Sequence, residues 1–365
     1  MKVKKITLIL PTLHSGGMER VMSILANQFC KNEHVQVDLI LFSNSPKVFY
    51  SIDERIKIHT NDYKKYPCNK VVLLLQTLKF IRKTICSISP DAILSFGTQW
   101  NNLVLLALLG KKYKVFVSDR GAPNRVYIFP QEHFKNILYP GAYGIITQTS
   151  ISEEITRKRF RSAKNIQTIG NPIRLVEKGT RKCNQILSVG RLIESKHHDR
   201  LIHIFKNLKN ADDWQLVIVG GDALRQSNYK KLCQLVEDLN LQGRVVLAGE
   251  QSNVDEYYAS SQIFAFTSSL EGFPNVVGEA LSCGLPVVSY DCVAGPSEMI
   301  INNTNGFLVP VFDDTAFLQK LQYLIDQPEQ RERMSQNAKE VRIHFSAEAI
   351  SQKFLQFLLY EDITN

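Results

Sequence analysis

The sequence of 365 residues contains no Cys-x-x-Cys pair and no long hydrophobic run. Its seven cysteines are dispersed and odd in number, which favours reduced thiols over a disulfide framework or a zinc site. The longest apolar run, 103–109, is far shorter than the roughly 18 residues of a bilayer-spanning helix. The N-terminal apolar stretch ends at Pro11, too early for a signal peptide. These absences predict a cytoplasmic protein, soluble or attached to the inner membrane surface.

Acidic residues are fewer than basic ones: the sequence contains 35 Asp and Glu and 44 Lys and Arg, which gives a net charge of +9. Such an excess favours an anionic partner, either a phosphorylated ligand or an anionic bilayer. The basic residues cluster only loosely, at 64–83, 111–125 and 157–164. Since none of these clusters forms the basic tail typical of nucleic-acid binding, we predict no nucleic-acid partner.

Both halves of the chain alternate short β-rich runs with helical patterns. In the first half these runs are 4–10, 35–42, 92–96, 113–119 and 143–149. In the second half they are 186–190, 216–220, 245–249, 263–267 and 286–290. The alternation predicts an α/β fold with a parallel, doubly wound, Rossmann-like sheet in each half. The predicted layout is a first domain 1–173, a linker 174–184, a second domain 185–345 and a C-terminal helix 346–365.

Two glycines, Gly16 and Gly17, follow the first predicted strand and precede a helix. Glycine lets the backbone approach a ligand closely, and a helix N-terminus favours anions. The Gly-x-Gly-x-x-Gly pattern is absent, so a dinucleotide fingerprint is not supported. An ordinary tight turn remains an equally good interpretation of these two residues.

Two cations, Arg191 and Lys196, follow the strand predicted at 186–190. Open α/β sheets bind ligands at the carboxyl ends of their strands, and a guanidinium with an ammonium suits a diphosphate. The alternative is a pair of solvated cations at a helix start. The helix dipole disfavours cations there, so we favour ligand binding.

A pair of carboxylates brackets the segment EGFPNVVGE, with Glu271 in a loop and Glu279 one turn into a helix. Pro274 suits the first helical turn and Asn275 a local cap. Two carboxylates near the main-chain N–H groups of a helix tip suit a polyhydroxylated ligand carrying phosphate. The alternative is an amphipathic helix flanked by two acids, and the spacing alone does not decide between the two.

In combination these segments resemble the retaining nucleotide-sugar glycosyltransferases of family four. Residues 271–279 look like the E-x7-E signature of that family, and VGRLIESK at 189–196 looks like its phosphate motif. The glycine loop at 15–19 and the segments 280–300 and 305–310 also stand where the family has similar sequences. The resemblance implies two facing Rossmann-like domains with a deep cleft between them, the glycosyltransferase B type. It also implies that the C-terminal helix crosses back to the first domain.

The resemblance further implies a role for each matching residue. Arg191 and Lys196 would hold the donor diphosphate, Glu279 the ribose, and Glu271 the transferred sugar. The remaining donor contacts would come from Gly16, Gly17, Phe273, Pro274, Asn275 and Val276. The implied donor is a nucleotide-diphosphate sugar, such as a UDP-sugar, carrying a hexose or N-acetylhexosamine. No metal or other cofactor is expected, and the sequence has no Asp-x-Asp motif.

The sequence departs from the family pattern at two places. His197 stands where the family often has glycine after the lysine of the phosphate motif. Many members also carry a histidine near the sugar, but the strand before residue 119 here runs into SDRGAP, which resembles a subgroup pattern S-x-R-x-x-P. Asp119 and Arg120 are therefore candidates for the catalytic, sugar or acceptor side. His14, beside the glycine loop, is a further candidate.

The acceptor implied by the family is a saccharide linked to a lipid diphosphate, used in bacterial surface polysaccharide or glycan synthesis. Residues 69–88 fit this because they combine one apolar helical side with four cations near its edges, typical of a helix at an anionic bilayer. The predicted bilayer-facing side consists of Val72, Leu75, Leu78 and Ile81. An ordinary helix packed on the sheet is the alternative. For the whole chain, a nucleotide-sugar epimerase, a non-catalytic nucleotide-sugar-binding protein and a phosphorylase are alternative functions.

Overall fold

The computed structural model describes residues 3–359 apart from 15, 45, 47, 62–68, 178, 180–182, 224 and 225. Part of the predicted glycine loop, basic cluster, linker and terminal helix therefore lies outside the described residues. The chain divides into two compact units, one of residues 1–172 with 347–365 and the other of residues 173–346. The segment predicted as a linker, 174–184, belongs to the second of these units.

The first unit is built on a parallel sheet of seven strands. In chain order they are β1 (Lys4–Leu10), β2 (Val35–Asn44), β3 (Lys57–Asn61), β4 (Ala92–Phe96), β5 (Val115–Ser118), β6 (Gly144–Thr147) and β7 (Ile166–Thr168). Their order across the sheet is β3-β2-β1-β4-β5-β6-β7. Between them run the helices α1 (Gly17–Cys30), α2 (Lys70–Ile88), α3 (Thr98–Ala107), α4 (Gln131–Leu138) and α5 (Ser150–Arg159). β3 and β7 carry too few apolar residues to be recognised from the sequence, and we did not predict them.

The second unit repeats this plan with six parallel strands. They are β8 (Gln185–Val189), β9 (Gln215–Val219), β10 (Val245–Gly249), β11 (Ile263–Phe266), β12 (Val287–Tyr290) and β13 (Gly306–Val309), in the order β10-β9-β8-β11-β12-β13. Its helices are α6 (His198–Lys206), α7 (Asn228–Asp238), α8 (Val254–Ser260), α9 (Asn275–Ser282), α10 (Asp314–Asp326), α11 (Pro328–Ala338) and α12 (Val341–His344). The prediction of five strands was thus one short, because β13 lies within a segment noted only as a motif.

The last helix, α13 (Ala347–Leu359), belongs to the first unit. Its Phe354 ring lies 6.3 Å from the ring of Phe96 on β4, and Phe357 lies 5.3 Å from Phe116 on β5. Burying these rings covers one face of the parallel sheet, and such sheets need cover on both faces. The predicted fold class of two Rossmann-like, doubly wound parallel sheets is confirmed.

The direction of winding reverses once in each sheet. The reversal lies between β1 and β4 in the first sheet and between β8 and β11 in the second. At such a point the two loops leaving the strands diverge, and a ligand crevice opens at the carboxyl ends of the strands. In the second sheet these two loops carry the residues of the predicted phosphate motif and the first acid of the E-x7-E segment.

Candidate active site

Lys196 and Glu271, which are 75 positions apart in sequence, form an ion pair at the switch point of the second sheet. Lys196 ends the 3-10 turn Glu194–Lys196 after β8, and Glu271 lies in the loop after β11. The Lys196 Nζ atom is 2.6 Å from Glu271 Oε1, and the two side chains are only 15% and 14% exposed. Such a charge-assisted contact, largely removed from water, is stronger than a surface ion pair.

Backbone contacts hold these two loops together. The Ser269 N–H donates to the Ser195 carbonyl at 2.9 Å, and the Thr267 hydroxyl donates to the Lys196 carbonyl at 2.8 Å. The Lys196 ammonium also lies 4.9 Å from the centroid of the Phe266 ring. The position of the ammonium is therefore set by residues of β11 and its loop as well as by its own segment.

The backbone conformation of His197 suits glycine, the residue expected at this position from the resemblance to family four. Its backbone has φ 50° and ψ 44°, the left-handed conformation that glycine adopts with least strain. The imidazole offsets that strain through Nε2, which lies 2.7 Å from the Ser269 hydroxyl, and through an edge contact with Phe312 at 5.0 Å. Burial lowers the pKa of His197, so the ring is neutral at pH 7.

Arg191, the other predicted phosphate ligand, is exposed where Lys196 is not. It lies in the same loop, directly after Gly190, and both residues follow the carboxyl end of β8. A Cβ atom on Gly190 would approach the Lys196 side chain to 3.3 Å, so glycine leaves room for the lysine stem. The loop thus presents one exposed cation, Arg191, and one fixed cation, Lys196.

The helix that carries Glu279 begins at Asn275, the residue that we predicted as its cap. Pro274 is the N-cap of α9 and Asn275 its first residue, so the prediction of Asn275 as the cap is wrong. A proline at the cap needs no backbone donor and leaves no side-chain cap. The Asn275 N–H instead donates to the Phe273 carbonyl at 3.0 Å, and Phe273 is buried against the ring of Phe345. Val276 follows, partly exposed, in the first turn.

Glu279 occupies a different environment from Glu271, because its side chain is buried. The Tyr258 hydroxyl donates to Glu279 Oε2 at 3.2 Å, and Arg174 Nη2 lies 3.7 Å from the same oxygen. Arg174 also pairs with Asp255 at the start of α8. Glu279 is therefore held as an acceptor by fixed donors, a suitable state for a group that binds hydroxyls.

Asp119, a predicted catalytic residue, lies in a polar cluster of the first unit. Its Oδ1 accepts hydrogen bonds from Tyr139 at 2.5 Å, Thr98 at 2.7 Å and Asn101 at 3.3 Å, while Oδ2 lies 2.5 Å from Lys135 Nζ. Burial by itself would raise the pKa of Asp119, but Lys135 and these donors hold it below its ordinary value. The carboxylate is therefore ionised and already bonded to four protein groups.

Arg120 points away from that cluster. Its guanidinium lies 3.5 Å from the centroid of the Phe96 ring and donates from Nη1 to Asn171 Oδ1 at 2.6 Å. Asn171 Oδ1 also accepts from Gln148 at 2.9 Å. Burial lowers the pKa of Arg120, although a guanidinium remains charged in any protein at neutral pH. Asp119 and Arg120, adjacent in sequence, thus contact different parts of the first unit.

The glycine loop is held in place by Tyr50, a residue that no sequence pattern singled out. The Tyr50 hydroxyl accepts from the Gly16 N–H at 3.0 Å and donates to the Gly16 carbonyl at 2.9 Å. Gly16 is the N-cap of α1, and Gly17 is exposed in its first turn. His14 is exposed before this loop.

Sequence reasoning missed the side chains that position the predicted ones. They are Tyr50, Lys135, Tyr139, Arg174, Tyr258 and Ser269. Only Arg174 had a local signal, because it follows Asn171-Pro172-Ile173 at the end of the first half. The others sit on helices or loops with no distinguishing pattern.

Residues 175–341 match the protein family described as "Glycosyl transferases group 1". Over 380 aligned residues the chain is 29% identical to the N-acetylgalactosamine-N,N'-diacetylbacillosaminyl-diphospho-undecaprenol 4-alpha-N-acetylgalactosaminyltransferase of Campylobacter jejuni, covering 98% of this chain and 100% of that protein. It is 26% identical to the amylovoran biosynthesis glycosyltransferase AmsD of Erwinia amylovora, covering 94% and 96%.

Among solved structures, the fold matches the Anabaena protein HepE, crystallised with UDP and glucose. The TM-score is 0.73 at 17% identity, covering 98% of this chain and 100% of that one. This likeness shows a shared fold over the whole length of both chains.

Proposed function

We propose that this chain, whose residues 175–341 match the family of group 1 glycosyl transferases, is a glycosyltransferase of the family-four type. It transfers a hexose or N-acetylhexosamine, with retention, from a UDP-sugar to a saccharide linked to a lipid diphosphate. The observation that carries the proposal is the contact of Lys196 with Glu271 at the switch point of the second sheet. It combines a fixed cation for a phosphate with a carboxylate for sugar hydroxyls at the place where such sheets bind ligands.

On the donor side, each group has a distinct task in this proposal. Lys196 and the exposed Arg191 neutralise the diphosphate, whose negative charge grows as the bond to the sugar breaks. Glu279, fixed by Tyr258, accepts from the ribose hydroxyls. Glu271 accepts from the transferred sugar. The roles of Gly16 and Gly17 toward the diphosphate, and of His14, stay predictions.

In this proposal the state of Glu271 bears on the route by which the anomeric configuration is retained, because a double displacement through a carboxylate would also retain it. A double displacement would need a carboxylate free to attack the sugar, whereas the Glu271 carboxylate is bound to an ammonium at 2.6 Å. A carboxylate neutralised in this way is a weak nucleophile. We therefore assign Glu271 to orienting the sugar. The acceptor oxygen bonds to the anomeric carbon on the face from which the diphosphate leaves, which retains the configuration, and a phosphate oxygen of the leaving diphosphate takes the acceptor proton. Proton NMR of fresh product should show an α-linkage from an α-linked donor, and an inverted anomer would contradict this mechanism.

Asp119 and Arg120 act in this proposal by positioning rather than by touching the reacting atoms. The Asp119 carboxylate is bonded to four groups of its own unit, and Arg120 is stacked on Phe96. Both follow the carboxyl end of β5, so they order the loop that leaves that strand. This revises the direct catalytic role predicted from sequence, and measuring both turnover and urea unfolding of Asp119→Asn separates the two roles.

The proposed acceptor follows from the Campylobacter relative, whose name specifies a diphospho-undecaprenol-linked saccharide. The nucleotide UDP is the one named with the Anabaena structure. We further propose that the enzyme works at the cytoplasmic membrane surface through α2, which carries four cations and no acidic residue. None of the helices in the described part of the chain has the length and apolar character to cross a bilayer.

The decisive experiment is a panel of nucleotide sugars, with and without a lipid-diphosphate disaccharide, with the released nucleotide measured by mass spectrometry. A transferase releases nucleoside diphosphate faster when acceptor is present, and Glu271→Gln should abolish that release. An epimerase would convert the donor without releasing nucleotide, and a binding protein would do neither. Full activity in EDTA is expected, since Lys196 and Arg191 supply the positive charge proposed for the diphosphate. Loss of activity in EDTA that Mg²⁺ restores would contradict the proposal that these two cations neutralise the diphosphate without a metal.

A further inference from the structure

A cavity of about 510 Å³ lies in the first unit, apart from the proposed donor site. It is bounded by the first turns of α2, by α3 and by the start of α4. Its walls are mainly apolar and include Phe42, Leu73, Trp100, Leu103, Leu106 and Phe134. This volume is within the range of small-molecule sites, which are usually apolar with few polar groups.

Two polar side chains in its wall are bonded within the protein, while the Asn102 Oδ1 atom is buried without a hydrogen-bond partner among the described residues. The Thr77 hydroxyl donates to the Leu73 carbonyl at 2.8 Å, and Asn102 Nδ2 donates to the Gln131 carbonyl at 2.9 Å. A peptide or a sugar in this cavity would place many of its polar groups against the apolar part of the wall, at a free-energy cost. The surface therefore fits a hydrocarbon better than either.

The rim adds exposed apolar side chains and one charge. Leu74 of α2 lines the mouth and is 44% exposed, while Ile128 and Phe129, just before the lining residue Pro130, are 86% and 79% exposed. Several exposed apolar side chains close to one cavity opening indicate an interaction site, whereas isolated exposed apolar residues do not. Among the described residues that line the cavity, Lys70 is the only charged one.

We propose that this cavity binds the hydrocarbon chain of the lipid-diphosphate acceptor, with Lys70 at the rim facing the anionic head. The proposal rests on the proposed function for the existence of such an acceptor. Its support is the combination of an apolar interior with positive charge at the mouth and along α2, which matches an amphiphile with a phosphate head. Burying hydrocarbon here removes apolar surface of both partners from water.

Two adjacent leucines allow a matched test. Leu74 lines the cavity, whereas Leu75, 60% exposed on the same helix turn, does not. The full chain with Trp214→Phe keeps Trp100 in the cavity wall as its single tryptophan. Titration with bromododecyl phosphate should quench Trp100 saturably, and inorganic phosphate should not. Leu74→Glu should weaken this binding by about tenfold or more, and Leu75→Glu by less than about twofold.

An activity measurement separates failure of this proposal from failure of the proposed function. Leu74→Glu should raise the KM for a polyprenyl-linked acceptor. It should not change the KM for the same saccharide diphosphate without the hydrocarbon chain, and it should not change the rate of donor hydrolysis. No quenching of Trp100, or equal effects of the two glutamate variants, would overturn the cavity assignment. So would a change of molecular mass of the Leu74→Glu variant in light scattering, which would make this face a contact between copies. Absence of donor hydrolysis in the unaltered protein would instead count against the proposed function.

Discussion

Lys196 and Glu271 are joined by a 2.6 Å ion pair, so the cation proposed for the donor diphosphate directly contacts the carboxylate proposed for the sugar. Neither group can be changed without altering the environment of the other. Both are about one-seventh exposed, so water screens their interaction only in part.

Lys196→Ala should lower kcat/KM for the donor by about one to two orders of magnitude, since a charge-assisted hydrogen bond contributes roughly 1.5–3 kcal/mol. Because the pair is in contact, Lys196→Ala and Glu271→Ala should be non-additive in a double-mutant cycle of donor hydrolysis. Lys206→Ala, an exposed cation on α6, is the control. Unchanged kinetics in a folded Lys196→Ala protein would refute the assignment of Lys196.

Asp119→Asn should destabilise the first unit, because it removes the counter-charge of buried Lys135. Since Asp119 is itself partly exposed, we expect a loss of about 1–3 kcal/mol, less than for a fully buried pair. Urea unfolding followed by Trp100 emission in a Trp214→Phe background measures it. Glu154→Gln, which breaks the exposed pair with Lys158, should leave the urea midpoint nearly unchanged. Loss of turnover with no loss of stability in Asp119→Asn would restore the direct catalytic role.

The second unit should lose stability in mild acid through His198. Burial, reinforced by the charge of Lys196, lowers the pKa of His198 to about 4. In the unfolded chain the ring binds a proton below about pH 6.5, whereas in the folded protein it stays neutral, so unfolding gains a proton in this window. Stability is therefore highest above pH 6.5 and should fall by about 2 kcal/mol by about pH 5.

The measurement for His198 is urea unfolding at these two pH values, followed by Trp214 emission in a Trp100→Phe background. His198→Leu should remove most of the difference between the two pH values. His203→Leu, an exposed histidine on the same helix, should retain it. An identical pH dependence in the protein and in the His198→Leu variant would show that other groups are responsible.

Vesicles containing anionic lipid should bind the protein through α2, less strongly as salt rises. Lys79 and Lys83 are exposed, whereas Arg82 donates to the carbonyls of Ala107 and Leu109 within the fold. At about 1 kcal/mol per cation, Lys79→Gln with Lys83→Gln should weaken flotation by about thirtyfold. Lys206→Gln with Lys209→Gln, exposed in the second unit, is the charge-matched control. Equal loss in both double variants would point to net charge rather than to α2.

The helix α2 shows which features of a helix a sequence pattern predicts and which it does not. Its span was predicted within one residue, because apolar spacing and the Asn69 cap are local. The placement of Ile81 on the predicted bilayer-facing side is wrong, since Ile81 is buried in the core, whereas Val72 and Leu75 of that side are exposed. Which side of a helix packs depends on the elements around it, and the spacing of apolar residues does not specify them.

The sequence by itself determined which chemical groups follow which strands. Period-two and helical patterns place Lys196 after β8 and Glu271 after β11, because chain direction and local periodicity are enough to order strands, loops and helices. The resemblance to family four depended on the same local order of motifs.

Only the tertiary structure decided which of these groups meet. The strand order that brings β8 beside β11 joins Lys196 to Glu271, and the Tyr258 hydroxyl of α8 donates to Glu279 of α9. Packing of α4 likewise brings Lys135 to Asp119, so that a residue predicted to be catalytic becomes part of a polar cluster. These contacts join residues 16 to 75 positions apart, and they arise from the burial of apolar faces rather than from any spacing along the chain.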